Sequence, residues 1–153
     1  MTLAVRFASL DRDLETLAAL GGRFSARLDA AHPVIPTERD YLEALPRLMS
    51  LPNTRIFLAE EEGRLQGALG LIYAPSLWVL RVTHADELFW WTEADAKPAT
   101  ALFLLRAAQR DMKANRVDTL LMYSLENSPA GLTGLYESLG LRKIGTAHIG
   151  WIS

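Results

Sequence analysis

The apolar run from Leu3 to Ala8 predicts a short opening strand. Asp11 then reads as an N-cap, and Leu14, Leu17, Ala18 and Leu20 recur at helical spacing. Gly21-Gly22 interrupts that face, which Phe24, Leu28 and Ala31 continue, so the pattern allows one helix with a weak middle or two short ones. A proline-bracketed connection from His32 to Pro36 leads to a second helix. There Thr37 is the N-cap and Asp40 the acidic third residue of a capping box. Tyr41, Leu42, Leu45, Leu48 and Met49 form its apolar face, and Pro46 kinks or ends it. Residues 55–60 and 64–73 predict a hairpin turned at Glu61-Glu62-Gly63. Leu77 to Val82 is an excursion or flap, and Asp86 to Thr92 a further strand rich in aromatics. A long helix follows over Ala99 to Ala114, then a strand over Val117 to Tyr123. Pro129 to Leu139 predicts a short helix closed by Gly140, and Leu141 to Ile152 a last strand. Strands and helices alternate in the second half, which predicts an α/β sheet with some parallel pairing and helices on its faces.

With 153 residues, half of them apolar and 22% charged, the chain suits one folded domain with a buried core. No composition shift or repeat divides residues 1–153. The net charge of −2 gives no global attraction for nucleic acid. The absence of cysteine excludes disulfides, thiolate metal sites and a cysteine nucleophile. His32, His84 and His148 lack metal-ligand spacing, so no metal is expected. No apolar run approaches the roughly 20 residues needed to span a bilayer, and no secretory signal is visible. These features point to a soluble, cytoplasmic protein.

Three stretches, in this order, resemble the GNAT superfamily of N-acetyltransferases. They are the hairpin Phe57-Leu-Ala-Glu-Glu-Glu-Gly-Arg-Leu-Gln-Gly-Ala-Leu-Gly70, the strand and exit Glu87-Leu-Phe-Trp-Trp-Thr-Glu-Ala-Asp-Ala-Lys97, and Leu135-Tyr-Glu-Ser-Leu-Gly-Leu141. The resemblance covers nearly the whole chain and is nearest to small members from phage and prophage regions. It implies a mixed, twisted sheet of about six strands, flanked by about four helices and splayed between its fourth and fifth strands. It also implies acetyl-CoA as co-substrate. The pantetheine arm would pair with the fourth strand through the backbone of Trp91 and Thr92. The pyrophosphate would lie on the start of the next helix, where free N–H groups and the dipole favour an anion.

The phosphate loop departs from the family's glycine-rich pattern, reading Ala96-Lys-Pro-Ala-Thr-Ala-Leu102. In one register Lys97 takes the place of the family's basic residue; in the other Ala96 does, and Ala99 and Ala101 replace the glycines. The first keeps a cation beside the phosphates, so Lys97, Ala99, Thr100 and Ala101 are the candidate cradle. Tyr136 matches the tyrosine that protonates the leaving thiolate in the family; by its residues alone it could equally be a packing tyrosine. Glu87 is placed as a candidate base, against the alternative of a solvated edge carboxylate. Glu93 is a candidate for lining the acceptor pocket. Asn127 stands where the family touches the cofactor, and reads equally as a turn or capping residue. Trp90 and Trp91 point to opposite strand faces, one into the core and the other towards the thioester or acceptor, unless both are core.

Three functional expectations follow: transfer of an acyl group to the amine of a small molecule or protein, a binding or structural protein that retains the fold without turnover, or a phage-type protein acting in DNA modification. The acceptor is not written in these residues. An exposed sheet edge near the C-terminus, with the apolar residues of 77–91, is where a second copy would bind to make a homodimer.

Overall fold

A computed structural model describes residues 2–28, 32–124, 131–148 and 150–152. Its order is β1 (Leu3–Phe7), α1 (Leu10–Ser25), α2 (Glu38–Met49), β2 (Thr54–Glu61), β3 (Arg64–Pro75), β4 (Thr83–Thr92), α3 (Pro98–Ala114), β5 (Thr119–Leu121) and α4 (Leu132–Ser138). The five strands lie in chain order in one mixed sheet; β1 to β4 are antiparallel, and β4 pairs with β5 in parallel.

Each face of the sheet has its own apolar cluster. Phe57, Leu69, Leu71, Tyr73 and Ala85 meet Leu104, Leu105, Ala108 and Met112 of α3, with Leu135 and Leu139 of the α4 region packed alongside. On the other face Ile56, Leu58, Ala68, Phe89 and Trp91 meet Leu17, Leu20 and Leu45 of α1 and α2. Covering both faces is why β2 carries an unbroken buried run from Ile56 to Ala59 rather than an alternating one.

Helix α1 passes straight through Gly21-Gly22. A Cβ on Gly21 would lie 2.9 Å from the Trp91 ring and 2.9 Å from the Tyr41 ring. The glycine therefore lets α1 approach β4, at a local cost in helix propensity. The helix starts at Leu10 rather than after Asp11, and Asp13 reaches back to accept the Ser9 N–H at 2.7 Å. Asp13 also takes two bonds from Arg6, which donates to Glu60 as well, so α1, β1 and β2 are joined by one charged cluster. The capping box of α2 is present: Asp40 N–H donates to Thr37 Oγ1, and Thr37 N–H to the Asp40 carboxylate. The helix continues past Pro46 to Met49.

The hairpin turn is two residues, Glu62 and Gly63, not three. Both have positive φ (52° and 75°), the geometry that matches the twist of the flanking strands. Strand β5 is shorter than residues 117–123. No strand forms over residues 141–148 or 150–152, so the described sheet has five strands, not six. Apolar residues there do not suffice to make a strand: Ile144, Trp151 and Ile152 stay exposed. The 76–82 excursion is a turn closed by Ser76 N–H on the Val82 carbonyl at 2.8 Å, leaving Leu77, Trp78 and Leu80 exposed. Among the described residues, no helix is long and apolar enough to cross a membrane.

Candidate active site

β4 and β5 share only three register pairs, ending at Asp86 with Leu121. Beyond that point β4 runs on to Thr92 with no strand paired to that edge among the described residues, and this unpaired stretch is the candidate gap. Peptide groups that leave a ladder need new partners. The Tyr123 N–H donates to Glu87 Oε2 at 2.9 Å, and the Tyr136 hydroxyl donates to the Tyr123 carbonyl at 2.8 Å. Glu87 from β4 and Tyr136 from α4 thus converge on one residue where the strands part.

A bulge in β4 makes this convergence geometric. Gly70 pairs with Phe89 but Leu71 pairs with Glu87, so Leu88 is an extra, unpaired residue. Residues three apart in a regular strand face opposite ways. Here Glu87 lies opposite Leu71 and Trp90 opposite Leu69, both in the cluster beneath α3. The Trp90 and Tyr136 rings lie 6.1 Å apart, tilted by 37°. Trp90 Nε1 is closed to solvent and unpartnered.

Burial pushes the Glu87 carboxyl from an ordinary 4.5 up to about 7, and the Tyr123 N–H pulls it partly back. Burial, and then the Glu87 charge, raise the Tyr136 phenol well above its ordinary value. At neutral pH the pair therefore offers a carboxyl near its midpoint and a phenol that keeps its proton.

The remaining sequence candidates lie elsewhere or are already engaged. Trp91 is core: it stacks on Phe89 with centroids 4.0 Å apart and meets Tyr41 edge-on at 4.6 Å. Its backbone also faces inward, which corrects the expectation that it lines the gap. Glu93 N–H donates to the Gln66 carbonyl of β3 at 2.9 Å. Backbone groups of an antiparallel strand turn to alternate edges, so Trp91 faces β3 with Glu93, while Trp90 and Thr92 face the gap. The Thr92 carbonyl accepts a bond from Arg27, just past α1. The Glu93 carboxylate is paired with Arg23 of α1.

Lys97 is the N-cap residue of α3, but its ammonium is paired with Glu61 of the hairpin instead of standing free. Pro98 has no N–H, and the Thr100 N–H is bonded to the Lys97 carbonyl at 2.9 Å. Thr100 is buried, with Cγ2 3.1 Å from where a Gly67 Cβ would stand, so its side chain packs inward. Ala99 is exposed and Ala101 half-buried, leaving Ala99 as a first-turn donor. Asn127 lies outside the described residues. Among the described residues, no group of His, Asp or Glu could hold a metal ion. The Tyr123 peptide and Arg27 were missing from the sequence-derived site, and the choice between Trp90 and Trp91 was open in it. Their roles depend on the bulge and on which edge β4 leaves open, and neither has a residue signature.

No family model matches the chain, and no curated protein matches it. Solved structures do. The chain aligns with a ribosomal-protein-alanine N-acetyltransferase from Brucella melitensis at a TM-score of 0.79 and 16% identity, over 100% of this chain and 99% of that one. It aligns with a transcriptional regulator from Bacillus halodurans at a TM-score of 0.77 and 17% identity, over 99% and 100%. A predicted acetyltransferase from Clostridium acetobutylicum, solved with acetyl-CoA, aligns at a TM-score of 0.70 and 11% identity, over 99% and 95%. The chain has the GNAT fold, with the parallel β4–β5 pair and four helices that define it.

Proposed function

We propose that this protein is an N-acyltransferase that moves an acetyl group from acetyl-CoA to a primary amine. The observation that carries this reading is the meeting of Glu87 and Tyr136 on the Tyr123 peptide where β4 and β5 part. The reaction needs a base for the ammonium proton, donors for the developing oxyanion and an acid for the leaving thiolate. Glu87, with its carboxyl near 7, suits the base, directly or through a water. Tyr136 keeps its proton and suits the acid once its hydroxyl turns from the Tyr123 carbonyl to the sulfur. The ammonium first gives a proton to Glu87, which passes it to solvent; the neutral amine then attacks, the C–N bond forms and the C–S bond breaks, the nitrogen's second proton passes to Glu87 and the thiolate takes one from Tyr136. Solvent exchange returns both groups to their starting forms.

The residues present suit acetyl-CoA unevenly. The open edge of β4 offers the Trp90 and Thr92 backbone to the pantetheine amides, provided Arg27 releases the Thr92 carbonyl. The start of α3 offers its dipole and the Ala99 N–H to the pyrophosphate. The pairing of Lys97 with Glu61 and the missing donor at Pro98 favour a second reading, a protein that keeps the fold and binds without turnover.

Titrating acetyl-CoA into the protein by calorimetry tests both. Absence of binding at millimolar concentration rules out the transferase, and binding with no acetylation across a panel of amines leaves the second reading. Where turnover is seen, Tyr136→Phe is expected to lower kcat by about 100- to 10,000-fold with the acetyl-CoA affinity nearly unchanged. A large loss of affinity instead makes Tyr136 structural.

A further inference from the structure

Building on the transferase reading, we propose that the Trp90 indole N–H donates to a carbonyl oxygen of the bound acyl-CoA. Among the described residues, three buried side-chain polar atoms lack a partner: Thr54 Oγ1, Asp86 Oδ1 and Trp90 Nε1. Thr54 Oγ1 can donate or accept, and Asp86 meets His84 through its other oxygen at 3.3 Å, so neither residue depends on a single kind of partner at that atom. An indole N–H is a donor and nothing else, fixed in the plane of its ring. Left unmet in a buried position it destabilises the folded chain, and such a group calls for an explanation.

Packing does not supply one. Trp90 contributes to the cluster beneath α3 through its ring, and a phenylalanine would contribute there without the orphan nitrogen. Position does supply one. The Leu88 bulge turns Trp90 to the same face as Glu87, the ring lies beside Tyr136, and the Trp90 backbone borders the gap left by β5. A ligand lying along that edge of β4 passes the indole. The arm of an acyl-CoA carries amide carbonyls and one thioester carbonyl, all acceptors without a proton to give. Binding would provide the acceptor that the free protein lacks.

Trp90→Phe removes the N–H and keeps an aromatic ring. Calorimetry on wild type and variant, with acetyl-CoA and with free CoA, reads the effect, and the thermal midpoint of each unliganded protein reads the fold. The expected result is a midpoint unchanged or raised, with acetyl-CoA binding weakened about five- to tenfold. Weakening of both ligands assigns the bond to a pantetheine amide; weakening of acetyl-CoA alone assigns it to the thioester. Equal affinities of wild type and variant overturn the proposal and leave the transferase reading standing. Failure of wild type to bind acetyl-CoA removes that reading and the proposal with it. Should the variant not fold, the assigned indole resonance of Trp90 in ¹⁵N-labelled wild type answers the same question. A downfield move on saturation with acetyl-CoA supports the bond, and an unmoved resonance in a protein that binds refutes it.

Discussion

Replacing Glu87 by glutamine removes a titrating group while leaving an oxygen to accept the Tyr123 N–H. Burial raises the Glu87 carboxyl from 4.5 to about 7, so the folded protein holds this proton more tightly than the unfolded chain does. The sign follows directly. Below pH 4.5 both states are protonated and the folded form keeps the full benefit; the benefit is lost as pH rises towards 7 and stays lost above it. The whole difference is about 2–3 kcal/mol, the lower figure allowing for partial contact of the carboxylate with water. Glu87→Gln is neutral throughout and escapes the loss. Urea unfolding at about pH 4.5, 6 and 8 should show the variant gaining on wild type by about 2–3 kcal/mol across that range. Two curves that stay parallel would mean that Glu87 ionises as freely as a surface carboxylate, and its assignment as a base tuned by burial would fall with them. In an acetyl-transfer assay, the rise of wild-type kcat/KM with pH around 7 should vanish in the variant.

Other parts of the structure make independent predictions. Gly21→Ala sets a methyl group 2.9 Å from the Trp91 and Tyr41 rings and should destabilise the fold by about 1–3 kcal/mol in chemical unfolding, despite alanine's better helix propensity. Asp13, held below the ordinary carboxylate range chiefly by its bonds to Arg6, contributes stability above about pH 4 that is lost as the pH falls through its lowered value. Asp13→Asn should therefore flatten the acid limb of the stability curve. Glu61→Gln releases the Lys97 ammonium and should tighten acetyl-CoA binding about threefold at low salt, with the gain shrinking as salt rises.

Much of the fold could be read from local patterns because local chemistry determines it. Thr37 and Asp40 form their capping box, Gly63 turns its hairpin, and the long helix expected over 99–114 forms as α3. The fold departs from the pattern where pairing partners decide. Residues 141–152 look like a strand in the sequence, but β5 pairs with none of the described residues 141–148 and 150–152. The site was legible to the same extent. Tyr136 and Glu87 entered as candidates through the family resemblance; their common partner is a peptide group and carries no side-chain signature. The residues left open which of Trp90 and Trp91 is core; Trp91 is, and one unpaired residue upstream sets Trp90 on the face of Glu87. Lys97 could be placed at the head of α3 from the sequence; that Glu61 meets it there depends on a hairpin 36 positions away.

The unpaired Leu88 has a consequence for how this protein can change. Its side chain is partly exposed, and what it supplies to β4 is a position rather than a chemistry. Substitution scanning would pass over it, since almost any residue keeps the length of the strand the same. A deletion at that point would leave every neighbouring side chain on its present face and remove the local kink and extra twist that help carry β4 away from β5. The local bend of β4 is therefore set by the number of residues between Glu87 and Phe89 and not by their identity. A lineage could change that bend with one insertion or deletion, leaving Glu87, Trp90 and Tyr136 untouched.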